Sequence, residues 1–188
     1  HIFIMKLYYG RTLDLLHRIY KFKEAARLAI EAENFLNTTK KIAEPFHSRY
    51  IHIYIVMAYI ENKDYNSALL SFNKYFKATG VEHCNTLFKF FEFIIQYKLN
   101  NYDTLIYSIN SWIKTIRNKR KQFPTEKVLI SFFRSAPNCA SIEQQKELLS
   151  NVISQLKQLE QRESKTDISY YFDFTEWFEK QLIQLENK

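Results

Sequence analysis

Glycine occurs only at Gly10 and Gly80 in 188 residues, and proline only three times. Backbone that wraps a phosphate needs several glycines, because it must approach the ligand closely and adopt φ > 0. With two isolated glycines neither G-x-G-x-x-G nor G-x-x-x-x-G-K-[ST] can be written, which excludes the dinucleotide-binding and P-loop classes. The same shortage of turn residues argues against an all-β chain. Cysteine is limited to Cys84 and Cys139, too few and too far apart for a disulfide framework or a zinc knuckle. Both read as buried, reduced thiols, which suits the cytoplasm. Long apolar runs are missing as well. The longest, IYIVMAYI at 53–60, is far short of the ~20 residues needed to cross a bilayer, so no membrane partner is expected. No charged start, hydrophobic stretch and small-residue cleavage site follow His1. His1 reads as a cut end, and the chain as the C-terminal part of a longer protein.

What is abundant is aromatic. Phe, Trp and Tyr make up 16% of the chain, inside a hydrophobic share of 46% and a charged share of 25%, so a core built largely from rings is expected. FKFFEFIIQY at 88–97 concentrates them. Its polar members, Lys89, Glu92 and Gln96, fall at i, i+3 and i+7, one narrow stripe of an α-helix. A helix apolar over the rest of its circumference is enclosed by neighbours on several sides. RYIHIYIVMAYIEN at 49–62 has the same character, with His52 the one clearly polar residue between Ile51 and Ile60. Each enclosed segment is followed by a short polar turn and a second helical pattern, which predicts stacked helical hairpins.

The turns repeat. Asp64 is placed to N-cap one second helix, and Asn100 or Asn101 another. Aligning Phe22, Tyr65 and Tyr102 brings Ala25, Ala68 and Leu105 into register, with spacings of 43 and 37 residues that signal a helical-repeat array. The units run over about 10–42, 45–80 and 83–121. The stretch from Ile55 to Phe76 resembles a tetratricopeptide repeat. Tyr59 falls on that motif's helix-A tyrosine, Tyr65 on the turn aromatic, Ala68 on the small helix-B residue and Phe72 on the helix-B aromatic. Val56 stands where the family has a small residue, Lys63 where it has the turn glycine, and Gly80 near its terminal proline. The resemblance covers roughly residues 10–120. It implies a single domain over 1–188: a right-handed α-α superhelix of about four hairpins, closed by a C-terminal capping helix.

The last third, 124–186, stays helical. Pro124 suits a helix's first turn. SIEQ at 141–144 is a capping box ahead of an apolar stripe of Leu149, Val152, Leu156 and Leu159. A final helix begins at Asp173 with the box DFTE and places Phe174, Trp177, Phe178, Leu182 and Leu185 on one face, as a terminal cap requires. The ending YYFDFTEWFEKQL resembles the tail of uncharacterised bacterial helical-repeat proteins, which implies no activity.

Chemistry is harder to find. The histidines, at 1, 17, 47, 52 and 83, form no H-E-x-x-H, and no G-x-S-x-G is present. His52 reads as a packed histidine rather than a ligand, and apart from Glu92 on the polar stripe of 88–97 no carboxylate lies inside the apolar helices to have its pKa raised. No catalysis, cofactor or metal is expected. The strongest charge feature is Lys114, Arg117, Lys119, Arg120 and Lys121, in a chain of net charge +7. One reading is a phosphate or nucleic-acid patch, serving a regulatory domain. The other, which we favour for a single cluster, is that cations gather where a helix C-terminus leaves free carbonyls.

Tetratricopeptide domains receive peptides on the surface lined by their first helices, one subset through Lys and Asn side chains that clamp a terminal carboxylate. Carried onto the middle unit, the inward positions are about Tyr50, Ile53, Tyr54, Met57 and Ile60, with no Lys or Asn among them. The resemblance therefore implies a non-enzymatic interaction or scaffolding module with a contact face of Tyr50, Ile53, Tyr54, Met57, Phe88 and Phe91. Its expected partner is an apolar peptide, a helix or the missing N-terminal region of the same protein.

Overall fold

A computed structural model describes residues 2–39, 45–79, 86–117, 120–162, 168–169 and 172–187; the side chains of 45–50, 76–79 and 162 lie outside that description. The all-α expectation holds. The described residues contain no strand, and their long helices are α1 (Ile2–Arg18), α2 (Phe22–Thr38), α3 (Pro45–Glu61), α4 (Tyr65–Thr79), α5 (Thr86–Lys98), α6 (Tyr102–Arg117), α7 (Pro124–Ser135), α8 (Ile142–Arg162) and α9 (Phe174–Glu186). The chain divides into two compact units, residues 1–99 and 100–188, where the sequence reading expects one domain. The division falls at the turn inside the expected unit 83–121. The first hairpin also begins earlier than expected, at Ile2 rather than near residue 10.

The repeat register is visible in the turns. Tyr20, Lys63 and Asn100 have φ of 59°, 62° and 58°, and each stands two residues before the aligned aromatic, Phe22, Tyr65 or Tyr102. A left-handed residue ends a helix by turning its last N–H groups back onto free carbonyls. After α1, Tyr20 N–H donates to His17 O (3.0 Å) and Lys21 N–H to Leu16 O (2.9 Å); after α3, Lys63 N–H donates to Ile60 O (3.0 Å) and Asp64 N–H to Tyr59 O (2.9 Å). The next helix then starts at the same offset. The N–H groups of Ala25, Ala68 and Leu105 donate to Lys21, Asp64 and Asn101 O at 2.9, 3.0 and 3.0 Å, and all three side chains are buried. Asp64 caps α4 as expected, its Oδ1 accepting from Ser67 N–H at 3.1 Å. Asn100 instead supplies the left-handed position, and its Oδ1 accepts from the Tyr102 hydroxyl at 2.8 Å.

In the first unit α3 is the central helix. It packs against α1, α2, α4 and α5, which explains why Ile51, Ile53 and every residue from Ile55 to Ile60 are buried. α2 approaches through small side chains, Ala25, Ala26, Ala29 and Ala32, that let two backbones come close. A ladder of rings joins α3, α4 and α5: His52 lies 4.6 Å from Tyr75, Tyr75 lies 4.8 Å edge-on to Phe88, and Phe88 stacks on Phe72 at 4.7 Å. The polar stripe of α5 closes on itself, Lys89 Nζ meeting Glu92 Oε2 at 2.6 Å, while Gln96 is buried.

In the second unit α7 packs on α6 and α8, and α8 on α9. The expected caps are present. Ser141 Oγ accepts from Gln144 N–H at 3.2 Å, and Gln144 Oε1 accepts in return from Ala140 N–H (2.8 Å) rather than from the cap residue itself. Asp173 Oδ1 accepts from Glu176 N–H at 2.8 Å. The stripe of α8 buries Leu149, Val152 and Leu156 together with Ile153, and leaves Leu159 half-buried. α9 buries Phe174, Trp177 and Phe178; Leu182 and Leu185 are half-buried. Phe178 meets Phe132 of α7 edge-on at 4.6 Å.

Candidate functional site

The expected contact face is largely core. Ile53, Met57, Phe88 and Phe91 are buried, the last three at 1%, 1% and 0% exposure, so none of the four offers a face to a partner. The physical reason is the enclosure of α3 by four helices, which leaves no open wall for a groove, and the seating of Phe88 between Phe72 and Tyr75. Tyr54 is half-buried, and the side chain of Tyr50 lies outside the described residues. Tyr59 bonds across to α2: its hydroxyl donates to Glu33 Oε2 at 3.1 Å. Burial, then the nearby Glu33 carboxylate, raises its pKa well above the usual tyrosine value.

The basic cluster separates into different roles. Lys114, Arg117 and Lys121 are exposed, and Lys119 lies outside the described residues. Arg120 is committed to the fold. Its Nη1 and Nη2 donate to Glu126 Oε2 and Oε1 at 2.9 and 2.5 Å, Nη1 also reaches Lys121 O at 3.0 Å, and the guanidinium lies 4.6 Å above the Phe123 ring. Glu126 is 1% exposed and also accepts from Phe123 N–H at 3.0 Å, the backward-reaching bond of a helix start. Arg120 N–H meanwhile donates to Ile116 O at 2.9 Å, beside the end of α6. A paired fork holding a buried carboxylate is a latch between α6 and α7, and it removes Arg120 from the set of cations open to a phosphate.

No group of three or more His, Cys, Asp or Glu among the described residues could hold a metal ion. Cys139 is half-buried and its thiol is pushed up by burial, the opposite of an activated nucleophile; Cys84 lies outside the described residues. His52 packs against Tyr75, as a core histidine does. No described helix is long and apolar enough to cross a membrane.

Among the described residues a row of exposed apolar side chains lies on α1, which the sequence does not single out. Ile4, Leu7, Tyr8 and Leu15 are 64%, 44%, 50% and 56% exposed, and Ile19 just beyond the helix is 49% exposed. Their spacing, i, i+3, i+4, i+11 and i+15, is one face of a helix. Arg11 stands among them at i+7, exposed. The opposite face buries Tyr9 and Leu13 against α2 and α3, Tyr9 lying 5.4 Å from the Phe35 ring. α1 is therefore apolar on two sides and covered on one. The available signal was the segment IFIMKLYYGRTLDLL, which has apolar residues on more than one side of the helix despite Lys6, Arg11 and Asp14. No known protein-family model, curated protein or solved structure matches the chain, so its function is read from this geometry alone.

Proposed function

We propose that the chain is a non-enzymatic protein-interaction module, a tetratricopeptide-like array of helical hairpins in a right-handed superhelix with α9 as its cap. The fold part of this reading is supported by the recurrence of one turn geometry at Tyr20, Lys63 and Asn100, by buried Ala25, Ala68 and Leu105 three residues after each aligned aromatic, and by Tyr59 and Phe72 in the positions the family resemblance assigns. The functional part rests on one observation: the row of exposed apolar side chains on α1. Apolar residues exposed singly are ordinary, whereas a contiguous stripe on a helix already packed on its other side marks a contact surface. The ligand class that suits it is a protein helix or apolar segment, bound by burial of surface rather than by charge.

The test compares affinity capture by the native chain and by a Leu7→Glu, Leu15→Glu variant whose helix content and melting temperature match it. Proteins retained by the first and lost by the second support the reading. Identical recoveries would discard it. Binding through this face should also change little between low and physiological salt, whereas attachment to a nucleic acid through Lys114, Arg117 and Lys121 would weaken steeply.

A further inference from the structure

We propose a further contact surface, in the second unit: the outer face of α6 binds a single-stranded nucleic acid, stacking a base on Tyr107 and pairing its phosphates with Lys114, Arg117, Lys121 and Arg134. The charge of the chain is concentrated here. Between Thr104 and Ile142 stand seven Lys and Arg residues and one carboxylate, Glu126, so all but one unit of the net charge of +7 arises in this stretch. Glu126 is 1% exposed and held by the Arg120 fork, so it neutralises none of the other cations. Bonding to free carbonyls accounts for Arg120, whose Nη1 reaches Lys121 O. It does not account for Lys114, Arg117 and Lys121. All three are exposed, and among the described residues their side chains bond to no carbonyl and meet no carboxylate.

Helix geometry sets these charges in line with an open ring. α6 buries Leu105, Ile109 and Ile116 on one side and exposes Tyr107, Asn110, Lys114 and Arg117, at i, i+3, i+7 and i+10, on the other. From Tyr107 to Arg117 the row spans about 15 Å. α7 adds a cation to it. Arg134, itself exposed, donates from Nη2 to Asn110 Oδ1 at 2.6 Å, a bond that fixes the guanidinium without cancelling its charge. Tyr107 is 77% exposed, so its ring contributes little to the core and offers a flat face to solvent. Stacking on such a ring suits any base, because every base has a π face, and a backbone tracked by cations needs no sequence. The bases of a duplex are already stacked on one another, so the ring selects an unpaired strand. An acidic protein segment would draw on the cations alone and leave Tyr107 without a role.

The full chain is titrated, with fluorescence anisotropy as the readout, against labelled oligothymidylate and oligouridylate of about twelve nucleotides, a DNA duplex of that length and a poly-glutamate peptide of that length. At least one of the single strands should bind, and the tighter of the two names the sugar. With four phosphates neutralised, the association constant should fall about fiftyfold between about 50 and 200 mM salt. Tyr107→Ala leaves every charge in place and should weaken binding about fivefold or more. Lys114→Glu with Arg117→Glu should abolish it, with circular dichroism to verify that the helices are kept. If that double variant loses helix, Lys121→Glu, placed beyond the end of α6, takes its role with an expected loss of about fivefold. Absence of binding to both single strands at the lower salt overturns the proposal. So does an affinity for the duplex or for poly-glutamate equal to that for the single strands, which would make the face a general anion surface or the dock of an acidic protein. Unchanged binding by Tyr107→Ala overturns it as well. None of these variants alters α1, so the reading of that surface stands or falls by its own test.

Discussion

The two compact units solve the problem of holding helices together in different ways. The first, residues 1–99, packs four helices against α3 and fills the spaces with rings and alanines; one of its polar stripes, Lys89 with Glu92, closes upon itself. The second, residues 100–188, uses helices with a single apolar face and ties them by side-chain bonds: Arg120 to Glu126, Thr175 Oγ1 donating to Glu160 Oε1 at 2.7 Å, and Lys157 to Glu179 at 2.6 Å. The difference teaches where specificity of packing comes from. A helix apolar all round has no preferred rotation until its neighbours impose one, whereas a one-sided helix with a cap and a latch has its orientation written locally.

Substitutions can break or sharpen that contrast. Phe88→Ala, which empties a site bounded by Phe72 and Tyr75, should cost about 3–5 kcal/mol in urea unfolding. A loss below about 1 kcal/mol would mean that the rings do not carry the first unit. In the second unit, Arg120→Ala leaves Glu126 buried without its partner. Because Arg120 is itself partly exposed, the expected loss is about 2–3 kcal/mol, somewhat under that of a fully buried pair. Were it to cost no more than a surface ion pair, the second unit would be held by apolar packing just as the first is.

Smaller effects test the polar details of the first unit. Tyr59→Phe removes the donor to Glu33 and should cost about 1 kcal/mol. The same phenol, with Tyr65, gives the fold an alkaline limit. Both hold their protons more tightly folded than unfolded: Tyr59 through burial and then Glu33, and Tyr65, pushed up to about 12, through burial and then Glu61. The stability they contribute is therefore complete below the ordinary tyrosine value near 10 and drains away as pH rises through the folded values. Thermal melts followed by circular dichroism between pH 9 and 12 should fall in the native chain, and fall less steeply in Tyr59→Phe. Lys63→Gly works in the other direction. Removing a side chain from a left-handed residue should stabilise the fold by about 0.5–1 kcal/mol, net of the extra freedom glycine gives the unfolded chain. Asn100→Gly should gain less, since asparagine tolerates that conformation and its Oδ1 receives the Tyr102 hydroxyl.

Much of the local architecture was legible in the residues. Asp64, Ser141 and Asp173 cap as their spacing suggests, because capping depends on a side chain and an amide within three residues of it. The enclosure of 88–97 followed from its narrow polar stripe. The candidate surface was not legible for the complementary reason. Periodicity says that α3 and α5 are apolar nearly all round, but not which side would be left open, and four helices pack on α3 so that Ile51, Ile53 and 55–60 are buried while His52 and Tyr54 are half-buried. The exposed face of α1 is less legible because Lys6, Arg11 and Asp14 interrupt its apolar residues, so the enclosed patterns of α3 and α5 stand out first. Arg120 is indistinguishable from its basic companions in the sequence because its partner, Glu126, lies six residues on, across the turn that leads into α7.

The three left-handed turns carry a last implication, about how such a chain changes over time. A tyrosine, a lysine and an asparagine occupy the same geometry, so the turn is specified by how many residues separate two helices and hardly by which ones they are. Adding or removing a single residue there would swing the following helix by about 100° and turn its oily side to water. Sequences descended from this one should therefore vary freely in their letters at these corners while keeping their lengths.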